Sequence, residues 1–177
     1  MSKICFPLLA LLFFCSCAYH CGAPLADQRL QTLRIGDIDN LSSESSLTPL
    51  LKNALAERIA KEPGMRLVSG DNDQACVLQM RISDLDNRSL ARAKLREKDE
   101  RDYEGDAYQT VLYRIQTRVE YGIYTPEPEQ KLLYFGAVNG QADLPKMHDR
   151  EVALQSAMRQ LAIDLANALT LEISEKK

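Results

Sequence analysis

From Tyr108 to Tyr124 apolar and polar residues alternate, and this stretch does more than any other to limit the folds open to the chain. Val111, Tyr113, Ile115, Val119, Tyr121 and Ile123 fall on one side, and Arg114, Gln116, Arg118 and Glu120 on the other. A period of two belongs to a strand with one dry face. Thr125-Pro-Glu-Pro-Glu129 follows, and prolines so placed mark a turn. Lys131 to Gly140 then returns as a second strand, making an antiparallel hairpin, and Gln141 to His148 reads as a loop.

Two segments carry the other period. Leu47, Leu51, Ala54, Leu55 and Ile59 recur at helical spacing around Thr48-Pro49, a capping residue and a proline suited to the first helical position, and Pro63-Gly64 closes the helix. Leu154, Ala157, Met158, Leu161, Leu165, Ala168 and Leu169 make a second stripe over Arg150 to Ser174, with Asp149 placed to cap it. Shorter strands are expected at Thr32–Ile38, Met65–Val68 and Ala75–Leu85, the last with Cys76, Leu78, Met80 and Ile82 on one side. More than half of the residues from Asp86 to Ala107 are charged. The first half of that segment can extend as a strand, and the second has opposite charges at helical spacing, Arg96–Glu100 and Glu97–Arg101 among them.

Each helix has one apolar stripe and each long strand one apolar face. A single sheet with both helices on one side buries all of these surfaces. The expected fold is therefore α+β: a two-layer α/β sandwich, one mixed β-sheet with two helices packed on one face. The first strand–helix–strand unit should cross over with a right hand.

The chain opens with Lys3, an apolar run from Ile4 to Phe14 broken by Pro7, and then Cys15-Ser16-Cys17. The run is too short to stay in a bilayer as a helix. A small residue before a cysteine at the end of such a run is the layout of a bacterial lipoprotein signal. Cys17 fits as the lipidated residue, with Ser16 at the cleaved bond; Cys15 would place Phe14 there, and Cys21 would place His20 there. The competing reading is an ordinary secretory signal. Residues 1–16 are thus expected to be removed, 17–31 to form a lipidated tether with Gly22 and Pro24, and 32–177 to form one α/β domain. Ala18, where an Asp would hold such a protein at the inner membrane, points to the periplasmic face of the outer membrane.

Composition excludes several functions. The formal net charge of −3 becomes −4 when Lys3 leaves with the leader, which argues against a general nucleic-acid binder. No nucleophile elbow, phosphate-cradling glycine loop or zinc spacing is present, and of the two histidines His20 lies in the tether and His148 in a loop. No catalytic residue, metal or cofactor is expected, and the chain does not read as an enzyme. Asp84 and Asp86 fall where a strand leaves the core, which suits a turn. Cys21 and Cys76 could pair in an oxidising periplasm, but Cys76 on the apolar side of a strand suits a buried thiol.

Cys17-Ala-Tyr-His20 resembles the Cys-Gly-Tyr-His or Cys-Gly-Tyr-Arg start of the lipopolysaccharide-assembly lipoproteins, the LptE family. The resemblance extends to the order of elements: an early strand, a helix, an alternating strand, a long strand starting here at Ala107-Tyr108, a hairpin and a terminal helix. Ala18 replaces the family's Gly, and the acidic residue before Tyr108 is missing. The resemblance implies a non-catalytic subunit that plugs an outer-membrane β-barrel translocon, helps it assemble and binds lipopolysaccharide. Lipid A carries phosphates, and guanidinium groups grip phosphate with paired hydrogen bonds. On that basis Arg92, Lys94 and Arg96, within the run Arg88 to Arg101, and the strand pair Arg114 and Arg118 are candidate ligand contacts. The competing reading for both groups is a solvated polar surface. Other outer-membrane lipoproteins with small α/β domains activate cell-wall synthases or build secretion pores, and that class stays open.

Overall fold

In the computed structural model Tyr108–Tyr124 is a single strand, β5, and the sheet is assembled around it. The structure describes residues 25, 27–70, 74–94, 108–126, 128–146 and 149–176. A short 3-10 turn, Gln28–Gln31, leads into β1 (Thr32–Asn40), followed by helix α1 (Leu47–Ile59) and β2 (Arg66–Leu67). Then come β3 (Cys76–Ile82), β4 (Asp86–Lys94), β5, β6 (Leu132–Pro145) and helix α2 (Arg150–Ser174). β1 lies parallel to β2 and to β3, whereas β5 runs antiparallel to β3, β4 and β6. The fold is α+β, one mixed sheet with two helices, as the two periods in the sequence require.

β3 and β4 share one side of β5, with Ile82 opposite Val119 and Asp86 opposite Gln116. Together they act as one long strand interrupted at 83–85. Thr117, buried at 5% exposure, ties that interruption down: its hydroxyl donates to the carbonyls of Ser83 (2.9 Å) and Asp84 (3.3 Å). β6 covers the other side of β5 from Leu112 to Tyr124.

One continuous core joins sheet and helices. It takes Leu33, Leu78, Ile82, Ile115, Val119, Tyr121 and Ile123 from the strands, and Leu51, Leu55, Leu161, Leu165 and Leu169 from the helices. Close approach of α2 to β6 depends on Gly140, where a Cβ would lie 2.6 Å from Leu165 Cδ2. The far end of α2 is fixed through Glu172, which accepts from the Tyr121 hydroxyl (3.3 Å) and from Lys176 (2.7 Å). Asp149 caps α2 as expected, accepting from the Val152 amide at 3.1 Å.

Several expectations need correction. The segment after Gly140 is not a loop: β6 runs to Pro145, because Ala142 and Leu144 continue its buried alternation into the core. Thr48 does not cap α1. It lies inside the helix, which starts at Leu47 after Ser46, and its hydroxyl oxygen is 3.2 Å from the Asn40 side-chain amide that donates to it. On α2 the buried stripe is wider and includes Ala153, Ala162, Ala166, Thr170 and Ile173, while Leu154 and Ala168 are only partly covered. Val111 faces solvent at 38% exposure, because the sheet outruns the helices there. Finally, the folded unit begins before Thr32: Leu25 and Leu30 belong to the core, so residues 25–31 are docked and not a free tether.

That docking rests on Asp27, itself only 8% exposed. Its carboxylate accepts from the Arg29 amide (2.9 Å), from Arg29 Nε (3.0 Å) and Nη2 (2.7 Å), and from the Tyr134 hydroxyl (2.9 Å) on β6. The Arg29 guanidinium, ahead of the other contacts, holds the Asp27 carboxyl down to about 2. Beneath it Cys76 is a free, buried thiol, donating to the Arg29 carbonyl at 3.3 Å, and burial pushes its pKa up. Cys21 lies outside the described residues.

Candidate functional site

The cationic candidates that lie among the described residues do not converge on one surface. Arg114 and Arg118 lie on the helix-free face of β5, because the alternating positions Ile115, Thr117, Val119 and Tyr121 are the buried, helix-facing ones. Arg88 joins them, directly opposite Arg114 in register. Each of these three arginines has an acid beside it. Arg88 Nε is 2.7 Å from Asp86, Arg114 Nε is 2.8 Å from Asp143 across to β6, and Arg118 Nε is 3.9 Å from Glu120. The guanidinium bonds lower the pKa of Asp86 and Asp143 below the usual carboxylate range, and Asp143 raises that of Arg114. Three cations against three anions make an exposed charge ladder with little net field for a phosphate.

Arg92 is elsewhere. The register of β4 on β5 slips twice, between Ser89 and Ala91 and again between Ala91 and Arg92. Each slip is a bulge, and a bulge turns the following residue to the other face. Arg92 is opposite Thr110, whose hydroxyl is 3.1 Å from that of Ser89, and Ser89 is opposite Tyr113 on the helix side. Arg92 therefore shares its face with Tyr113, away from Arg114. Lys94 ends β4 opposite Tyr108; Arg96 and Cys17 lie outside the described residues.

That helix-side face holds a pocket of about 280 Å³ where the β4–β5 ribbon leaves the body, lined by Asn87, Tyr113, Leu144, Pro145, Lys146 and Arg150. Its placement follows from the elements. Leu144 is the last inward residue of β6, the Lys146 amide donates to the Val111 carbonyl at 2.9 Å, and Arg150 opens α2. The wall is apolar (Tyr113, Leu144, Pro145), and the rim carries two exposed cations with no ion-pair partner among the described residues. Arg92, further along the ribbon, is not among the lining residues. A floor for hydrocarbon beside donors for phosphate or carboxylate is what an anionic amphiphile needs.

A larger hollow of about 690 Å³ against the 83–85 interruption has the opposite chemistry. Asp84, Asp86 and Asp164 line it with three amides, against the single cation Arg118. It does not suit an anion. Asp84 and Asp86 keep local roles, Asp84 accepting from the Leu85 amide and Asp86 from Arg88 and the Gln116 side chain.

Lys146 and Arg150 are the residues that the sequence reading missed. Read as a loop and a helix start, Lys146-Met-His-Asp-Arg150 offered no reason to weigh its charges. The available signal was the alternation of Ala142 and Leu144, which carries the strand up to them.

No family model matches this chain, and no curated protein matches it. Solved structures resemble it to different degrees. A protein from Helicobacter pylori described as a homolog of neuraminyllactose-binding hemagglutinin superposes with a TM-score of 0.51 at 11% identity, over 89% of this chain and 92% of its own. Rare lipoprotein B from Shewanella oneidensis gives a TM-score of 0.43 at 14% identity, over 80% of this chain and 93% of its own. A minor lipoprotein from Acinetobacter baumannii gives 0.42 at 16%, over 82% and 93%. At 11% identity the likeness to the Helicobacter pylori protein is one of fold alone.

Proposed function

We propose that this chain is a lipid-anchored lipoprotein of the outer membrane, on its periplasmic face, which binds lipopolysaccharide and serves a β-barrel translocon as a non-catalytic subunit. The pocket under the ribbon supports this most, since Lys146 and Arg150 stand over Tyr113, Leu144 and Pro145 with no ion-pair partner among the described residues. The sequence supports the location through Cys17 behind its apolar leader and supports the class through Cys17-Ala-Tyr-His20 and the order of elements. Among the described residues no helix is long and apolar enough to cross a membrane, so attachment would fall to the acyl chains on Cys17.

The anionic phosphates of lipid A would meet Lys146 and Arg150, and acyl chains would lie along the apolar wall. This differs from the role first given to Arg114 and Arg118: Asp143 hydrogen-bonds the Arg114 guanidinium, and Glu120 lies 3.9 Å from that of Arg118. The partner is tested by extracting the tagged full-length protein in detergent. Co-purification of a large outer-membrane barrel is expected. Recovery of a cell-wall synthase, or of a ring of this chain alone, would replace the translocon by a synthase activator or a secretion-pore subunit.

A further inference from the structure

Bare large apolar side chains are spread over the molecule, at Leu41, Leu90, Val111, Val152, Ile163 and Leu171 among others, and two of them sit at the end that receives the tether. On β6, Leu132 is 48% and Phe135 64% exposed, and both flank Tyr134, the residue whose hydroxyl holds Asp27. Lys131 precedes them in the open. On the neighbouring turn after α1, Gly64 lies against the Leu25 side chain, with Lys61 and Arg66 exposed on either side of it. Acids balance these cations: Glu129 is exposed on the hairpin, and Asp37, Asp39 and Glu120 line a hollow beside Phe135, so attraction to lipid rests on the apolar side chains and not on charge. The pocket lies toward the other end of β5: Tyr113 is eleven residues from Tyr124, roughly 36 Å along the strand.

The length of chain before the docked segment decides what covers these side chains. With Leu25 and Asp27 held, eight residues separate Cys17 from Leu25, a reach of roughly 28 Å at most. Released as far as Thr32, the tether would have fifteen residues and reach roughly 50 Å. Docking of residues 25–31 therefore about halves the distance that the body can stand away from acyl chains on Cys17, and it does so at the hairpin that exposes Leu132 and Phe135.

We infer that the start of β6, through Leu132 and Phe135, rests on the phospholipid surface, and that the Asp27–Tyr134 clasp is the strap that keeps it there. The inference relies on the reading of Cys17 as the anchor. A surface of two apolar side chains is too small to bind lipid alone, but beside an anchor it acts at high local concentration. The contact sets the polarity of the molecule: hairpin on the lipid, pocket and ribbon held away from it.

The chain contains no tryptophan, which makes the test direct. Full-length lipidated protein with Phe135→Trp is reconstituted into vesicles of phosphatidylethanolamine and phosphatidylglycerol with a brominated-phospholipid fraction, beside Leu90→Trp on the exposed ribbon. The expected result is a blue-shifted emission at Phe135→Trp, quenched at least twofold by the bromolipid and unaffected by added salt, with Leu90→Trp unquenched. Adding Leu30→Ala and Asp27→Asn to Phe135→Trp should free the strap and reduce the quenching while the protein stays on the vesicles. Flotation without quenching at Phe135→Trp would overturn the lipid contact alone, as would equal quenching at both sites. Quenching that persists in full when the strap is freed would overturn the strap. Failure of the protein to float at all would overturn the anchor reading instead.

Discussion

At the scale of single residues, Asp27 and Gly140 bear the most weight. Asp27 joins a segment expected to be tether to the body of the fold, and its carboxylate is well below its ordinary pKa because Arg29 donates to it twice from the guanidinium. A depressed folded-state pKa gives stability that is present above the unfolded value near 4 and is lost as pH falls toward 2. Asp27→Asn should therefore lower stability by about 1–2 kcal/mol at neutral pH and flatten the acid limb of the stability profile between roughly pH 4 and 2. Denaturant unfolding across that pH range checks it, and a parallel acid limb in the variant would count against the clasp. Gly140 is under a different constraint. Any side chain there meets Leu165, so Gly140→Val should cost about 1–3 kcal/mol by pushing α2 from the sheet. Calorimetry would show it, and an unchanged transition temperature would contradict that packing.

Among the elements, β5 was the most legible in the sequence, from Tyr108 to Tyr124, because a long period-two pattern has one structural meaning. The apolar stripes of both helices were legible for the same reason. What escaped was decided by tertiary partners. The strand character of residues 141–145 depends on a β5 long enough to pair with them, and a short alternation before proline looks like a loop without that partner. The two bulges in the β4–β5 ribbon leave no mark in the sequence, yet they turn Arg92 away from Arg114. The interruption between β3 and β4 depends on Thr117, a polar residue on an otherwise apolar face. Thr117→Val should cost about 1–2 kcal/mol by leaving the Ser83 and Asp84 carbonyls without their donor. Hydrogen exchange should then rise in β4 and little in β1; uniform exchange would mean that β3 and β4 are not joined this way. In α2, Leu165→Ala should cost about 2–5 kcal/mol, measured by urea unfolding, since Leu165 is fully buried against β6.

For the whole molecule, the arrangement has two ends. One carries the docked segment and the bare apolar residues of β6; toward the other are the ribbon and the cationic pocket. The candidate site was only partly legible. The sequence singled out basic residues, but which of them face an apolar wall and which are neutralised across strands is settled by register, and register sets Arg114 against Asp143 while leaving Lys146 and Arg150 open. If this pocket receives an anionic amphiphile, the affinity of full-length protein for purified lipopolysaccharide will depend on its two cations. Lys146→Ser with Arg150→Ser should weaken binding at least tenfold, since each removes a charge-assisted contact, while Arg114→Ser with Arg118→Ser should leave it within about twofold. The reverse pattern, or equal affinity in all three proteins, would contradict the claim.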